Sequence, residues 1–132
     1  MKLITRNTDY ALRAVCSIAK RKGKIVTVSE LVAALKMPRP FLRKLLQNLN
    51  KKGILKSYKG LGGGFVLARP PEKIFLLDLI SIFQGELSLN ECLFKRKICP
   101  NVRVCPLKNK LDIIEQYVIR ELKTVTIGSL LK

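Results

Sequence analysis

Three cysteines in the second half of the chain are the residues best suited to carry chemistry. Cys92, Cys99 and Cys105 lie in one short segment that is rich in lysine and arginine. Thiolates bind soft metal ions, and the chain has no histidine to serve as another common ligand. Three ligands leave one position of a metal centre open, which is typical of a sensor rather than an inert structural site.

The spacing of these cysteines favours an iron–sulfur cluster over zinc. Zinc sites usually pair their cysteines across two to four residues, and the wider steps from Cys92 to Cys99 and from Cys99 to Cys105 contain no such pair. The surrounding cations would offset the negative charge of a thiolate-bound cluster. Structural zinc and a cluster-free thiol switch stay open as alternatives, because a basic environment also makes thiols reactive. A fourth cysteine, Cys16, is expected to be a small buried apolar residue.

Composition points to a nucleic-acid partner. The 132 residues contain 26 Lys and Arg against 9 Asp and Glu, a formal net charge of +17, and 48% of them are hydrophobic. Such an excess of positive charge attracts polyanions. The chain has no long apolar run for a membrane, and its start lacks the apolar core of a signal peptide. We therefore expect a cytoplasmic protein without membrane association, in which thiols stay reduced.

The first half of the chain predicts a helix-turn-helix. A helix is expected from about Thr8 to Lys22, and a capping box of Thr27 and Glu30 begins a second one. After a short turn at Lys36-Met37-Pro38, a third helix carries an apolar stripe of leucines at helical spacing. A short helix, a tight turn and a second amphipathic helix are typical of this DNA-binding motif. The stripe consists of Leu42, Leu45, Leu46 and Leu49.

A β-hairpin is predicted directly after the helix-turn-helix, where it would form a wing. Ile54–Lys59 and Phe65–Ala68 are strand-like, and they flank the glycine-rich turn Gly60–Gly64. A phosphate-binding nucleotide loop is disfavoured here, because no Gly-Lys-Ser/Thr follows and no helix begins after the turn.

The residues opposite the leucine stripe are candidates for contact with double-stranded DNA. Arginine and glutamine can bond to base edges in the major groove, whereas lysine more often binds phosphates. An enzyme is disfavoured, since the chain has no histidine and no recognisable nucleophile with a base, and we expect no small-molecule substrate. The candidates are Arg39, Arg43, Lys44, Gln47 and Lys51 on the helix and Lys56, Tyr58 and Lys59 on the wing.

The second half predicts a dimerisation helix. A helix around Leu76–Phe83 should end at Gly85, and a longer one should run from Pro106 to about Thr124. The long helix has a near-heptad apolar stripe, and further apolar residues beside it suggest that a second chain covers the surface. The stripe is Leu107, Leu111, Ile114, Val118, Leu122 and Val125, and the additional residues are Ile113, Tyr117 and Ile119.

The predicted architecture is mainly α with a small β-wing. We expect a winged helix-turn-helix DNA-binding domain over residues 1–84. Residues 85–132 should supply the cysteine segment and the long C-terminal helix of a homodimer.

Four segments together resemble a known family. Thr8–Ala14 is similar to its opening helix, Gly60–Leu67 to its wing signature, and Thr126–Leu130 to its C-terminal segment, while the three cysteines match its cluster ligands. On these segments the chain resembles the IscR/NsrR-type winged-helix transcription regulators of the Rrf2 family. The resemblance implies a cytoplasmic homodimer that binds promoter DNA and changes its affinity with the state of an iron–sulfur cluster.

The resemblance also suggests how the cluster would be held. Cys92, Cys99 and Cys105 would be ligands, and Asp9 matches an aspartate that the nitric-oxide-sensing branch donates from the other subunit. The alternative for Asp9 is a first-turn acid favoured by the helix dipole. Lys108 stands where the iron–sulfur assembly regulators have a histidine, which favours a 4Fe-4S cluster over the 2Fe-2S alternative.

The expected function is that of a regulator, most simply a repressor, that senses nitric oxide, redox state or iron–sulfur status. One alternative is the same regulator with a cluster-free thiol switch. Another is a basic RNA-associated or ribosome-associated protein with structural zinc.

Overall fold

The structure is a computed structural model that describes residues 3–85 and 106–131. The three clustered cysteines therefore lie outside the described residues. The mainly helical fold with a small β-wing is confirmed. In chain order the elements are α1 (Arg6–Ala19), α2 (Val28–Leu35), α3 (Arg39–Lys51), β1 (Leu55–Tyr58), β2 (Gly64–Leu67), a 3-10 turn (Pro71–Lys73), α4 (Leu76–Gln84), α5 (Pro106–Leu122) and α6 (Ile127–Leu130).

The apolar core lies between α1 and the leucine stripe of α3. All four stripe leucines are buried, as predicted, and they pack with the apolar face of α1. Each buried leucine stabilises the fold by roughly 1.5–3 kcal/mol relative to an exposed one. On the α1 side the fully buried apolar residues are Ala11, Ala14, Val15 and Ile18.

α1 ends at Ala19, three residues earlier than predicted. The backbone of Lys22 and Gly23 adopts positive φ, 48° and 86°, which turns the chain away from the helix axis. The helix also begins two residues earlier than predicted, because the Thr5 side chain caps it by accepting from the Thr8 N–H.

The capping box at the start of α2 is only half formed. The Thr27 hydroxyl accepts from the Glu30 N–H at 3.1 Å, as predicted. The Glu30 carboxylate, predicted to reach back to Thr27, instead lies 3.8 Å from the guanidinium of Arg21. A cation from the preceding turn thus competes with the local cap, and the sequence pattern does not show that competitor.

The wing is an antiparallel hairpin in the predicted place. Leu55 pairs with Leu67 and Tyr58 with Gly64, so β1 and β2 are fully in register. The segment before α2 forms a single β-bridge with β2, because Val26 and Phe65 exchange backbone hydrogen bonds of 2.9 and 2.8 Å. This bridge fixes the wing against the chain that leads into α2.

The C-terminal elements return to the N-terminal core. Leu122 of α5 packs with Leu76 and Ile80 of α4, and a backbone bridge joins Phe75 to Thr126. Ile127 of α6 is fully buried in the main core. α4 ends before Gly85, as predicted, and α6 forms a short terminal helix.

Gly64→Ala is expected to destabilise the wing. A Cβ at position 64 would overlap the Val26 carbonyl, which is the acceptor for Phe65. Loss of that bridge should lower the free energy of unfolding by about 1–3 kcal/mol, measured by urea unfolding. Leu61→Ala is the control, because Leu61 at the hairpin tip is fully exposed. Equal stability of the two variants would contradict the role of Gly64.

Candidate nucleic-acid interface

The polar face of α3 is exposed over its whole length. All five predicted contact residues of the helix are exposed, and the buried leucines lie on the opposite face. Burial of the leucines thus holds the cations and the amide of this face toward solvent. These five residues are Arg39, Arg43, Lys44, Gln47 and Lys51.

A cleft of about 530 Å³ separates α3 from the wing. Arg43, Gln47 and Asn50 line it from α3, where the i, i+4, i+7 spacing places them on one helix face. Tyr58 and Lys59 line it from the wing. Among the described residues, no carboxylate lines it, so the cleft offers cations and hydrogen-bond donors to an anionic ligand.

Two residues at the cleft were missed by sequence reasoning. Asn50 follows Gln47 by three positions, so its helical spacing alone could have indicated it. Ser29 comes from the first turn of α2, and its hydroxyl accepts a 3.0 Å hydrogen bond from the Arg39 guanidinium. This bond between the two helices fixes Arg39 beside the cleft. It is non-local, and no sequence signal reveals it.

On the wing, Lys56 and Tyr58 lie on the same face of β1. The Lys56 Nζ is 5.5 Å from the centroid of the Tyr58 ring, a cation–π distance. Lys56, Tyr58 and Lys59 are all exposed. The wing therefore presents two cations and one aromatic ring beside the α3 face.

Asp9 lies in the first turn of α1, and it does not line the cleft. Its N–H donates to the Thr5 carbonyl at 2.9 Å, and its carboxylate accepts from the Arg13 Nε at 3.0 Å. The side chain keeps 42% of its surface exposed. The Asp9 carboxylate is therefore partly accessible to solvent, and its Oδ2 oxygen is already paired with Arg13.

Cys16, farther along α1, is half-buried against the main core. Burial raises the pKa of its thiol, and nearby Lys20 opposes that shift. The thiol therefore favours its neutral form, which suits the predicted packing role. Across residues 3–85 and 106–131, no group of three or more Cys, Asp, Glu or His side chains is placed to hold a metal ion.

A side-chain clamp joins the end of α4 to the start of α1. The Gln84 amide oxygen accepts from the Thr5 N–H at 2.9 Å, and its amide nitrogen donates to the Leu3 carbonyl at 3.1 Å. Thr5 is the N-cap of the helix that carries Asp9. The clamp thus connects the helix that carries Asp9 to the end of α4, which precedes the cysteine segment in the sequence.

The outer face of α5 exposes a patch of large apolar side chains. Large contiguous apolar patches are uncommon on the surfaces of soluble monomers. The spacing of this patch agrees with the predicted apolar surface of the helix. The exposed residues are Leu107 (65%), Ile113 (64%), Ile114 (50%) and Tyr117 (60%).

Comparison with known proteins establishes the class of this fold. Residues 4–132 match the Rrf2 family model, described as an iron-dependent transcriptional regulator. The chain belongs to the Rrf2 family.

Individual relatives agree with this assignment. An HTH-type transcriptional regulator of Aquifex aeolicus is 33% identical to this Rrf2 protein, with 92% of this chain and 86% of the relative covered. The regulator NsrR of Bacillus licheniformis is 30% identical, and 92% of each chain is covered. The structure of CymR (YrzC), the global cysteine regulator of B. subtilis, superposes with a TM-score of 0.80 at 26% identity, covering 99% of this chain and 97% of that one.

The family assignment and the fold agree on a transcription regulator with a winged-helix DNA-binding unit. In the described parts of this Rrf2 protein, no helix has both the length and the apolar character needed to cross a bilayer.

Gln84→Ala is expected to lower the free energy of unfolding by about 1–2 kcal/mol, because one partly buried and one exposed hydrogen bond are lost. Thermal unfolding with a urea series measures the change. Gln47→Ala is the matched control, since Gln47 is exposed on α3. The clamp would be ruled out as a stabilising contact if both variants unfolded like the parent protein.

Proposed function

We propose that this Rrf2 protein is a cytoplasmic, homodimeric repressor that binds a specific promoter sequence. Residues 1–84 form the DNA-binding domain, and residues 85–132 provide sensing and dimerisation. The observation that carries the proposal is the cleft between α3 and the wing, which, in the part of the chain that the structure describes, is lined by cations and amides and by no carboxylate. A duplex needs such a surface for its phosphates and base edges.

Each side chain of the α3 face has a distinct role in this proposal. Arg43 and Gln47, which line the cleft, bond to base edges in the major groove. Lys44 and Lys51 bind phosphates, and Arg39 is held in place by Ser29. The wing residues Lys56, Tyr58 and Lys59 contact the adjacent backbone or the minor groove.

Gln47→Ala and Lys44→Ala are expected to affect DNA binding differently. Gln47→Ala removes a base contact. It should weaken binding to the preferred duplex by about 5- to 150-fold, which corresponds to 1–3 kcal/mol, and should relax the preference at one base pair. Lys44→Ala removes a phosphate contact, so it should weaken binding to all duplexes alike. Duplexes selected from a random library, and scrambled versions of them, provide the measurement by fluorescence anisotropy at fixed salt.

Ser17→Ala is the control for Gln47→Ala and Lys44→Ala, because Ser17 lies on α1 and is not among the cleft-lining residues. An equal loss for selected and scrambled duplexes in both variants would contradict base recognition by Gln47. Failure of the parent protein to prefer any selected duplex would overturn the proposed function, and would leave an RNA-associated protein with structural zinc as the alternative.

The exposed apolar face of α5 is proposed as the dimer interface. Ile113 and Tyr117, one helical turn apart, are each at least 60% exposed in the single chain. A second copy of α5 would remove this surface from water by a symmetric contact, the commonest arrangement in homodimers. Two α3 helices would then read a two-fold related site.

An iron–sulfur cluster is proposed as the sensing group. Cys92, Cys99 and Cys105 would supply three thiolates, and Asp9, donated by the other subunit, is the proposed fourth ligand. The family description as iron-dependent and the 30% identity to NsrR support this donor set. When bound, the cluster would supply reactivity toward nitric oxide, oxygen or changes in redox state.

The described residues fit this donor set in two respects. Lys108 donates to the Asp112 carboxylate at 2.9 Å, so it acts as a cation and does not replace a histidine ligand. This favours a four-iron cluster over the two-iron alternative. The ion pair of Asp9 with Arg13 uses the Oδ2 oxygen, so Oδ1 is the oxygen that would bind iron. Such a carboxylate would be an exchangeable ligand, which suits a sensor.

A chain of contacts can carry a change at the cysteine segment to α3. Gln84 precedes that segment and holds Thr5, the cap of α1. On α1, the Tyr10 ring meets the ring of Phe41 edge to face, with centroids 5.5 Å apart. Phe41 lies in the first turns of α3. A shift of α1 would therefore move the recognition helix directly.

Protein purified without oxygen is expected to be coloured, with a broad band near roughly 400–420 nm and with iron and acid-labile sulfide in similar amounts. Cys99→Ala should abolish the band, whereas Cys16→Ala should keep it because Cys16 packs against the core. Asp9→Ala should lose cluster more quickly. An Asp9→Ala protein with a normal cluster and a normal DNA response would contradict its role as a ligand.

A cluster-free thiol switch is the second candidate. It is favoured by the likeness to the CymR structure, whose protein is described as a global cysteine regulator. This candidate predicts a colourless protein whose DNA affinity changes reversibly with oxidant and reductant. The spectrum and the iron count of the anaerobic protein therefore separate the two candidates.

A further inference from the structure

A second basic cleft lies at the base of the wing. It has a volume of about 370 Å³, and three cations line it, Lys22 and Lys24 from the turn after α1 and Arg69 from the segment after β2. Its other lining residues are apolar or glycine, among them Ile18 and Leu67. None of the residues proposed to contact DNA lines this cleft.

Among the described residues, no acidic side chain balances the cations of the second cleft. No carboxylate lines the cleft, and within the described ranges no ion pair or side-chain hydrogen bond involves Lys22, Lys24 or Arg69. Four of the five residues Lys20–Lys24 are cationic. Arg21 is the one that pairs with an acid, Glu30, at 3.8 Å. Unbalanced charge of this density attracts an external polyanion.

The turn that carries the two lysines is ordered by its own backbone. Lys22 N–H donates to the Ala19 carbonyl at 3.2 Å, and Lys24 N–H donates to the Arg21 carbonyl at 3.2 Å. Lys22 has a φ of 48°, a left-handed conformation that costs a non-glycine residue about 1 kcal/mol or more. The negative end of the α1 dipole accounts for a cation at Lys20, but its effect falls off within one turn. It does not account for Lys24 or Arg69.

The two clefts are lined by consecutive parts of strand β2. Gly64 and Phe65 at one end of β2 line the first cleft, whereas Val66 and Leu67 at the other end line the second. Val26 links the two, because it is bonded to Phe65 and lies two residues after Lys24. Gly64 and Leu67, the outermost of these residues, are three positions apart, which is about 10 Å at roughly 3.3 Å per residue. About three phosphates of one DNA strand span that length along the helix axis.

We infer that the second cleft binds backbone phosphates of DNA that flanks the base pairs read by α3. Lysine and arginine bind phosphates regardless of sequence, so the cleft contributes affinity and footprint length, but not base preference. This inference rests on the proposed DNA-binding function, which is tested separately by the preference of the parent protein for selected duplexes.

The test is the salt dependence of DNA binding by the double variant Lys22→Asn/Lys24→Gln. Asparagine tolerates the left-handed backbone at position 22, so the fold should be retained, which circular dichroism checks. The control double variant Lys73→Gln/Lys123→Gln removes the same charge from two exposed lysines outside the cleft. Affinity for a long selected duplex, and for one trimmed to the core site, is measured from 50 to 200 mM salt.

Loss of two phosphate contacts should make the slope of log K against log salt less steep by about 1.8 on the long duplex. It should change neither the slope on the trimmed duplex nor the ratio of selected to scrambled affinity. The control should keep the parent slope. Arg69→Gln alone should reduce the slope by about 0.9.

Three results would overturn the inference while leaving the proposed function intact. The first is a slope of the Lys22→Asn/Lys24→Gln variant on the long duplex that equals the parent's. The second is an equal reduction of the slope in the control variant, and the third is an equal reduction of the slope on the trimmed duplex. An unchanged slope would leave an acidic protein as the partner of this cleft. If the parent protein shows no duplex preference, the proposed function fails first, and the slopes then report only general polyanion binding.

Discussion

Burial of the α3 leucines is the constraint on which the rest of the structure depends. Leu42, Leu46 and Leu49 are fully buried against α1, so the helix can rotate in neither direction without exposing them. Their burial holds the opposite face, with its cations and Gln47, toward solvent. The hairpin and the Val26–Phe65 bridge then place the wing beside that face. The proposed DNA surface is thus a consequence of core packing.

Distribution of charge is the second organising feature. The chain carries an excess of 17 positive charges, and among the described residues each wing cleft is lined by cations without a carboxylate. The described acids instead serve local roles, as in the pairs Asp9–Arg13 and Lys108–Asp112. Electrostatic attraction to a duplex would supply most of the sequence-independent affinity, and the few amides and arginines of α3 would supply preference.

Local patterns explain which features the sequence could predict. The leucine stripe of α3, the wing hairpin and the Thr27 cap of α2 follow from helical period, alternation and capping residues a few positions apart. The Gln84 clamp joins residues about 80 positions apart, and the Ser29–Arg39 bond joins two different helices. Both depend on tertiary packing, which no local pattern reveals. Glu30 was mispredicted for the same reason, because its partner Arg21 comes from the preceding turn.

A hydroxyl-radical and methylation-protection footprint on a selected duplex tests the central claim most directly. A dimer that joins through α5 and reads DNA through α3 should protect two major-groove patches related by two-fold symmetry. Their centres should lie about one helical turn, or a multiple of it, apart. One unpaired patch would contradict the dimeric arrangement, and uniform protection without sequence preference would contradict recognition by α3.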